Sequence, residues 1–68
     1  MRLKEIRKSK GITQLKLAID LNTTQNTISR YENSKHEPGI RELIQIADYF
    51  DISIDYLLER TDNPQINK

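Results

Sequence analysis

A very short connection between two helical patterns is the feature that most constrains this chain. The run from Thr13 to Glu32 contains two amphipathic patterns, and only Leu21, Asn22 and Thr23 lie between them. Asn22 suits this point because Asn enters the left-handed conformation that ends a helix more readily than any residue except Gly. Two helices joined in this way form a helix-turn-helix, whose second helix can enter the major groove of DNA. The sequence therefore predicts a DNA-reading domain.

The first helix of this pair is predicted to begin after Thr13, whose hydroxyl can accept a hydrogen bond from a free N–H group of the first turn. Leu17, Ala18 and Leu21 then recur at the spacing of one buried helical face. Thr24 is predicted to cap the second helix in the same manner.

The second helix, from Gln25 to about Asn33, is expected to bury Ile28, with Tyr31 and Glu32 beside it. Its other face carries polar side chains and no acid, namely Gln25, Asn26, Thr27, Ser29, Arg30 and Asn33. Asn and Gln can pair with adenine, Arg with guanine, and the Thr methyl group can contact that of thymine. An ordinary solvated helix would more often carry interleaved Glu and Lys pairs, so this face predicts base recognition.

Length and composition exclude several other classes of protein. The 68 residues are predicted to form one small domain, residues 1–59, followed by a polar and flexible tail, residues 60–68. There is no cysteine, and the single histidine, His36, has no ligand partners nearby, so neither a metal nor another cofactor is expected. The absence of a membrane span and of a signal peptide predicts a cytoplasmic protein. No catalytic set or phosphate-binding loop is visible, so the chain is not expected to be an enzyme.

The charge is distributed unevenly along the chain. Residues 1–35 carry eight basic and three acidic side chains, a net charge of +5, whereas residues 36–68 carry three basic and seven acidic ones, a net charge of −4. The basic half is expected to turn toward a polyanion during encounter. For Lys4, Lys8 and Lys10 alone, a solvated helix face explains the charge equally well.

Three further helices complete a prediction of five helices and no strand. The first runs from about Arg2 to Lys10, and Gly11 is suited to the left-handed residue that ends it. The fourth runs from about Ile40 to Phe50, where apolar residues recur at helical spacing. Ser53 is predicted to cap a short fifth helix that continues to about Glu59.

The pattern from Leu3 to Leu58 resembles the phage Cro and repressor type of helix-turn-helix domain, the XRE family. The matching residues are Arg7, Gly11, Ile12, Thr13, Gln14, Leu17, Ala18, Leu21, Ile28, Ser29, Tyr31, Glu32, Asn33, Pro38, Leu43, Ile46, Ala47 and Leu57. The resemblance implies an all-α, compact five-helix fold of the lambda-repressor type, with the helix-turn-helix formed by the second and third helices. It also implies a bacterial or phage transcriptional regulator that is cytoplasmic and associated with the nucleoid. Asn22 stands where the family usually has Gly, and Asp51 stands where it usually has Gly or Asn. Both residues can adopt the left-handed conformation.

The resemblance also implies roles for individual residues. Base contacts are expected from Gln25, Asn26, Thr27 and Arg30. Phosphate contacts are expected from Gln14, Thr24, Ser29, Asn33 and Lys35, of which Gln14 begins a helix, an arrangement that favours anions. Arg7 is expected to form a structural ion pair with Glu32 across the first and third helices.

Members of this family usually bind inverted repeats as dimers, so the expected function is that of a sequence-specific regulator, foremost a repressor, that binds double-stranded DNA as a homodimer. The candidate dimer contact consists of Ile52, Ile54, Tyr56 and Leu58, with Ile66 as an addition. The alternative is that these residues only close the hydrophobic core of a small domain.

A second hypothesis concerns Leu15 and Ile19, which are apolar at positions that are usually polar in such domains. Either they widen the core or they form an exposed contact for a protein partner. In the second case the chain would be an interaction or antitoxin-like module that binds DNA weakly or only with a partner, which docks on Leu15, Ile19 or the C-terminal helix.

Overall fold

The computed structural model describes residues 1–66 and contains five helices there. They are α1 (Leu3–Ser9), α2 (Gln14–Asp20), α3 (Gln25–Glu32), α4 (Ile40–Phe50) and α5 (Ile54–Leu57). No strand occurs among these residues, so the all-α prediction is confirmed. Every one of the five helices is too short or too polar to cross a lipid bilayer.

Hydroxyl caps define where three of the helices begin. The Oγ1 atoms of Thr13 and Thr24 and the Oγ of Ser53 each accept a hydrogen bond from the backbone N–H three residues later, at 3.0, 3.1 and 3.0 Å. These bonds satisfy N–H groups that have no partner inside the helix. The starts of α2, α3 and α5 therefore agree with the prediction.

All five helices end in the same way, with one left-handed residue directly after the last turn. Its N–H and that of the following residue bond to carbonyls of the last turn, the arrangement known as the Schellman motif. The left-handed residues have φ angles from 55° to 70° and are Gly11, Asn22, Ser34, Asp51 and Glu59. Only Gly11, Asn22 and Asp51 were predicted to adopt this conformation.

The left-handed residue at Glu59 also explains why α5 is shorter than predicted. The N–H of Glu59 donates to the carbonyl of Tyr56 at 3.1 Å, and that of Arg60 donates to the carbonyl of Asp55 at 2.8 Å. Because these bonds turn the chain away, the helix ends at Leu57 and does not continue to Glu59.

The core receives one large, fully buried side chain from each helix. These side chains are Leu3, Leu17, Ile28, Ile46 and Leu57. A backbone hydrogen bond of 2.8 Å from Arg2 to the carbonyl of Leu57 joins the start of α1 to the end of α5. The first and last helices are thus joined directly to each other.

The segment after residue 59 folds back onto the helices as far as the structure describes it. The guanidinium of Arg2 donates to the carbonyl of Thr61 at 3.0 Å and to the carboxylate of Asp62 at 2.8 Å. The N–H of Ser53 donates to the carbonyl of Pro64 at 3.0 Å. A domain boundary at residue 59 and a flexible tail stay predictions, and residues 67–68 lie outside the described part.

The left-handed helix ends predict opposite effects for two substitutions. No neighbouring atom lies within 4 Å of the position that a Cβ at Gly11 would occupy, so Gly11→Ala costs only the unfavourable φ, about 1 kcal/mol of unfolding free energy. Ser34→Gly relieves the same strain and should stabilise the protein by about 0.5 kcal/mol, because the freedom gained by the unfolded chain offsets part of the benefit. Urea unfolding of the two variants measures both effects, and equal shifts in one direction would contradict this account.

Candidate nucleic-acid interface

A buried ion pair fixes the position of α3. The Nε of Arg7 donates to Oε2 of Glu32 at 2.6 Å, and the Nη2 of Arg7 donates to Oε1 at 3.2 Å. The two side chains are 10% and 1% exposed. This two-point contact, expected from the family resemblance, joins α1 to the last turn of α3.

The ion pair is extended by two further hydrogen bonds. The Nη1 of Arg7 donates to the carbonyl of Ile12 at 2.8 Å, and the Nε2 of Gln14 donates to Oε1 of Glu32 at 3.1 Å. No buried side-chain nitrogen or oxygen within residues 1–66 lacks a hydrogen-bond partner. The network therefore connects α1, the loop after it, the start of α2 and the end of α3 without leaving a polar group unsatisfied.

The polar face of α3 is open to solvent. Gln25, Asn26 and Arg30 are exposed, and their side chains make no hydrogen bond to any other residue in the described range. Thr27 is half-buried, and its hydroxyl lies 2.9 Å from that of Thr24 at the cap. The residues predicted to contact bases thus lie on one helix, three of them without an internal partner.

The residues predicted to contact phosphates are spread along the helix-turn-helix, from the start of α2 to the segment after α3. Gln14 is the first residue of α2, and Thr24 directly precedes α3. Asn33 donates to the hydroxyl of Ser29 at 3.3 Å, and Lys35 is exposed after the left-handed Ser34. The part of Gln14 that would meet a phosphate is an amide that already donates one hydrogen bond to Glu32.

Contacts from α4 support the turn between α2 and α3. The Nε2 of Gln45 donates to the carbonyl of Leu21 at 3.1 Å, and the hydroxyl of Tyr49 donates to Asp20 at 2.5 Å. The hydrogen bonds from Tyr49 and from Lys16 lower the pKa of the Asp20 carboxyl. Sequence reasoning missed the two contacts from α4, because Gln45 and Tyr49 lie far along the chain from their partners Leu21 and Asp20.

The structure also places the other predicted residues. Leu15 and Ile19 are 53% and 66% exposed, so they do not widen the core. His36 is exposed, and its ring stacks on that of Tyr31 at a centroid distance of 5.7 Å.

The four residues of the candidate dimer contact separate into two groups. Ile52 is buried in the core, and Ile54 and Tyr56 are half-buried and pack against it, as the alternative of core closure expected. Leu58 is the exposed member of the set. Ile52 therefore does not belong to an exposed contact surface.

The geometry agrees with what comparison with known proteins shows. A profile of the helix-turn-helix family matches residues 3–57. The chain belongs to the helix-turn-helix family. The predicted likeness to its Cro and repressor type is confirmed, and no solved structure matches the chain significantly.

The relatives of this helix-turn-helix chain include three proteins of Bacillus subtilis (strain 168). The uncharacterized HTH-type transcriptional regulator YqaE is 38% identical over 64 residues, which cover 94% of the chain and 55% of the relative. The HTH-type transcriptional regulator ImmR is 34% identical over 67 residues, which cover 98% and 53%. The SPbeta prophage-derived regulator YonR is 37% identical over 60 residues, which cover 88% and 56%. The chain thus spans about half the length of the curated relatives it matches.

The buried ion pair predicts a large loss of stability when only one partner is removed. Glu32→Gln leaves the Arg7 charge buried without a counterion and should cost about 3–5 kcal/mol, most of the stability of so small a domain. Lys16→Ala is the control, because it removes the exposed pair with Asp20 and should cost less than about 0.5 kcal/mol. Chemical denaturation of both variants tests this, and comparable losses would show that burial of the Arg7 pair has no special weight.

Proposed function

We propose that this helix-turn-helix chain is a sequence-specific regulator of transcription that inserts α3 into the major groove of double-stranded DNA. The observation that carries the proposal is the exposed, acid-free polar face of α3, which the buried pair of Arg7 and Glu32 holds in one orientation. A recognition helix needs both properties, since base edges are read only by side chains that are free and accurately placed.

In this proposal Gln25 and Asn26 pair with adenine, Arg30 pairs with guanine, and the methyl group of Thr27 contacts thymine. The backbone of the duplex is held by Gln14, Thr24, Ser29, Asn33 and Lys35. These phosphate contacts fix the register but carry no sequence information. The protein acts by occupying its site, so that a bound promoter is blocked and transcription is repressed, and no cofactor takes part.

The proposal extends to a homodimer, at least on DNA. One recognition helix reads only a few base pairs, whereas two copies related by a two-fold axis read an inverted repeat whose half-sites lie about 34 Å apart. If the dimer neutralises about six phosphates, the plot of log affinity against log salt concentration has a slope near −5.

A second candidate function rests on Leu15 and Ile19, which project from α2 into solvent. Here the chain is an interaction module whose protein partner covers these two side chains, and DNA binding is weak or depends on that partner.

Selection of bound duplexes from a randomised pool at physiological salt tests the proposal. Enrichment of an inverted repeat supports the dimeric regulator and gives the half-site spacing. Enrichment of a single half-site supports DNA reading but contradicts the homodimer, and a lack of enrichment overturns DNA reading in favour of the interaction module.

Two substitutions separate base reading from phosphate binding. Arg30→Ala should weaken binding to the selected site by about 1–3 kcal/mol and relax the preference at one base pair. Lys35→Ala should weaken binding to all sequences alike and reduce the magnitude of the salt slope by about 1. Fluorescence anisotropy with the selected duplex and a scrambled one measures both effects. If Arg30→Ala weakened binding to the two duplexes equally, Arg30 would not be a base-reading residue.

A further inference from the structure

The largest exposure of a bulky apolar side chain lies on α4, outside the contact predicted from the sequence. Ile40 and Ile44 occupy successive turns of this helix and are 77% and 44% exposed. Ile44 also lines a shallow groove with Ala47 and Ile54. An apolar strip therefore runs along α4 toward the start of α5. It lies on a solvent-exposed side of the helix, which usually carries charged or polar residues.

The folded-back tail continues this strip. Ile66 lines the same groove as Ile44 and is itself exposed. The hydrogen bond from Ser53 to the carbonyl of Pro64 holds the preceding residues against the α4–α5 connection, and the ion pair of Arg2 with Asp62 joins them to the start of α1. The strip thus combines two parts of the chain.

Two opposite charges border the strip on α4. Arg41 and Asp48 are seven residues apart, which places them on the same side of a helix two turns from each other, with Ile44 between them. Both are exposed, and neither forms an ion pair within residues 1–66. Because Arg41 and Asp48 lie two turns apart, their charges do not neutralise each other within one copy of the helix.

This arrangement is complementary to itself under two-fold symmetry. When two copies of α4 pack antiparallel with the axis near Ile44, Arg41 of each copy lies opposite Asp48 of the other. The contact then contains two equivalent ion pairs on either side of the two Ile44 side chains, and Ile40 of each copy lies one turn from the axis. Such a charged rim with an apolar centre is the composition expected of an interface.

We propose that a second copy of this chain docks on this α4 surface, which consists of Ile40, Arg41, Ile44, Asp48 and Ile66. The inference rests on the homodimer of the proposed function and assigns its contact to α4 and the tail. Of the residues expected from the sequence, Ile66 belongs to this surface, whereas Ile52 is buried and Ile54 and Tyr56 are half-buried.

A charge exchange tests the pairing of the two charges. Arg41→Asp and Asp48→Arg should each weaken self-association about tenfold, since each places like charges opposite one another twice per dimer. The double variant should return to within about threefold of the original chain, because both pairs are restored with reversed polarity. Lys4→Asp changes the charge of an exposed α1 residue by the same amount as Arg41→Asp and should have little effect. Sedimentation equilibrium of the full chain without DNA measures these dissociation constants.

An apolar substitution tests the isoleucine part of the same surface. Ile40→Ser should raise the dissociation constant of the dimer about tenfold or more, because the side chain leaves water only in the dimer. Ile19→Ser is the matched control, since Ile19 is comparably exposed on α2. Circular dichroism verifies that both variants keep the helical fold, as expected for exposed positions.

The outcomes separate this inference from the function on which it rests. If the α4 substitutions leave the dissociation constant of the dimer unchanged, the α4 surface is wrong but the homodimer is retained. If Ile19→Ser weakens the dimer instead, the contact lies on α2. A chain that is monomeric in solution and binds the selected repeat without cooperativity overturns both the surface and the homodimer. Unchanged affinity of the Arg41→Asp variant for a single half-site verifies that DNA reading itself is not altered.

Discussion

The buried contact between Arg7 and Glu32 is the interaction on which the rest of the structure depends. Burying two charges is costly, and the cost is recovered only when geometry is good and every remaining donor and acceptor is satisfied. Here the carbonyl of Ile12 and the amide of Gln14 complete the network. The network consequently specifies one arrangement of α1, α2 and α3, whereas the apolar contacts of Ile28 alone would tolerate small rotations of α3.

The short length of the helices explains why all five end in the same way. Helices of four to eleven residues are too short to be stable alone, so each depends on packing that the connections must permit. A left-handed residue reverses the chain within one or two positions and satisfies the last carbonyls at once. Ser34 accepts backbone strain at this point, and it sets the direction in which Lys35 leaves α3.

The features that were predictable from the sequence are those encoded locally. Hydroxyl groups that directly precede a helix can accept a hydrogen bond from a free N–H group of its first turn, as in Thr13, Thr24 and Ser53. The buried face of α3 follows from the spacing of Ile28 and Tyr31. In contrast, the left-handed ends at Ser34 and Glu59 carry no residue type that signals them.

Other features depend on contacts that no local pattern encodes. The contact of Arg2 with Asp62 joins residues sixty positions apart, and the support of Asp20 by Tyr49 crosses from α2 to α4. The connection between α4 and α5 has no helical periodicity, so the sequence leaves open whether Ile52 faces the core or a contact surface, and the structure buries it. The roles in DNA contact stay predictions, since exposure shows that a side chain is available and not what it meets.

The proposed contact between two copies is small, because it consists of a few isoleucine side chains and two exposed ion pairs. Exposed ion pairs contribute little each, so the proposed dimer dissociates readily at low concentration. On an inverted repeat, however, the first bound copy holds its partner at a high effective concentration, and the weak contact is then sufficient. Occupancy of the operator therefore rises more steeply than in proportion to the amount of chain. Salt would oppose both the proposed phosphate contacts and the proposed α4 ion pairs, so pairing on DNA is expected to be more sensitive to salt than either interaction alone.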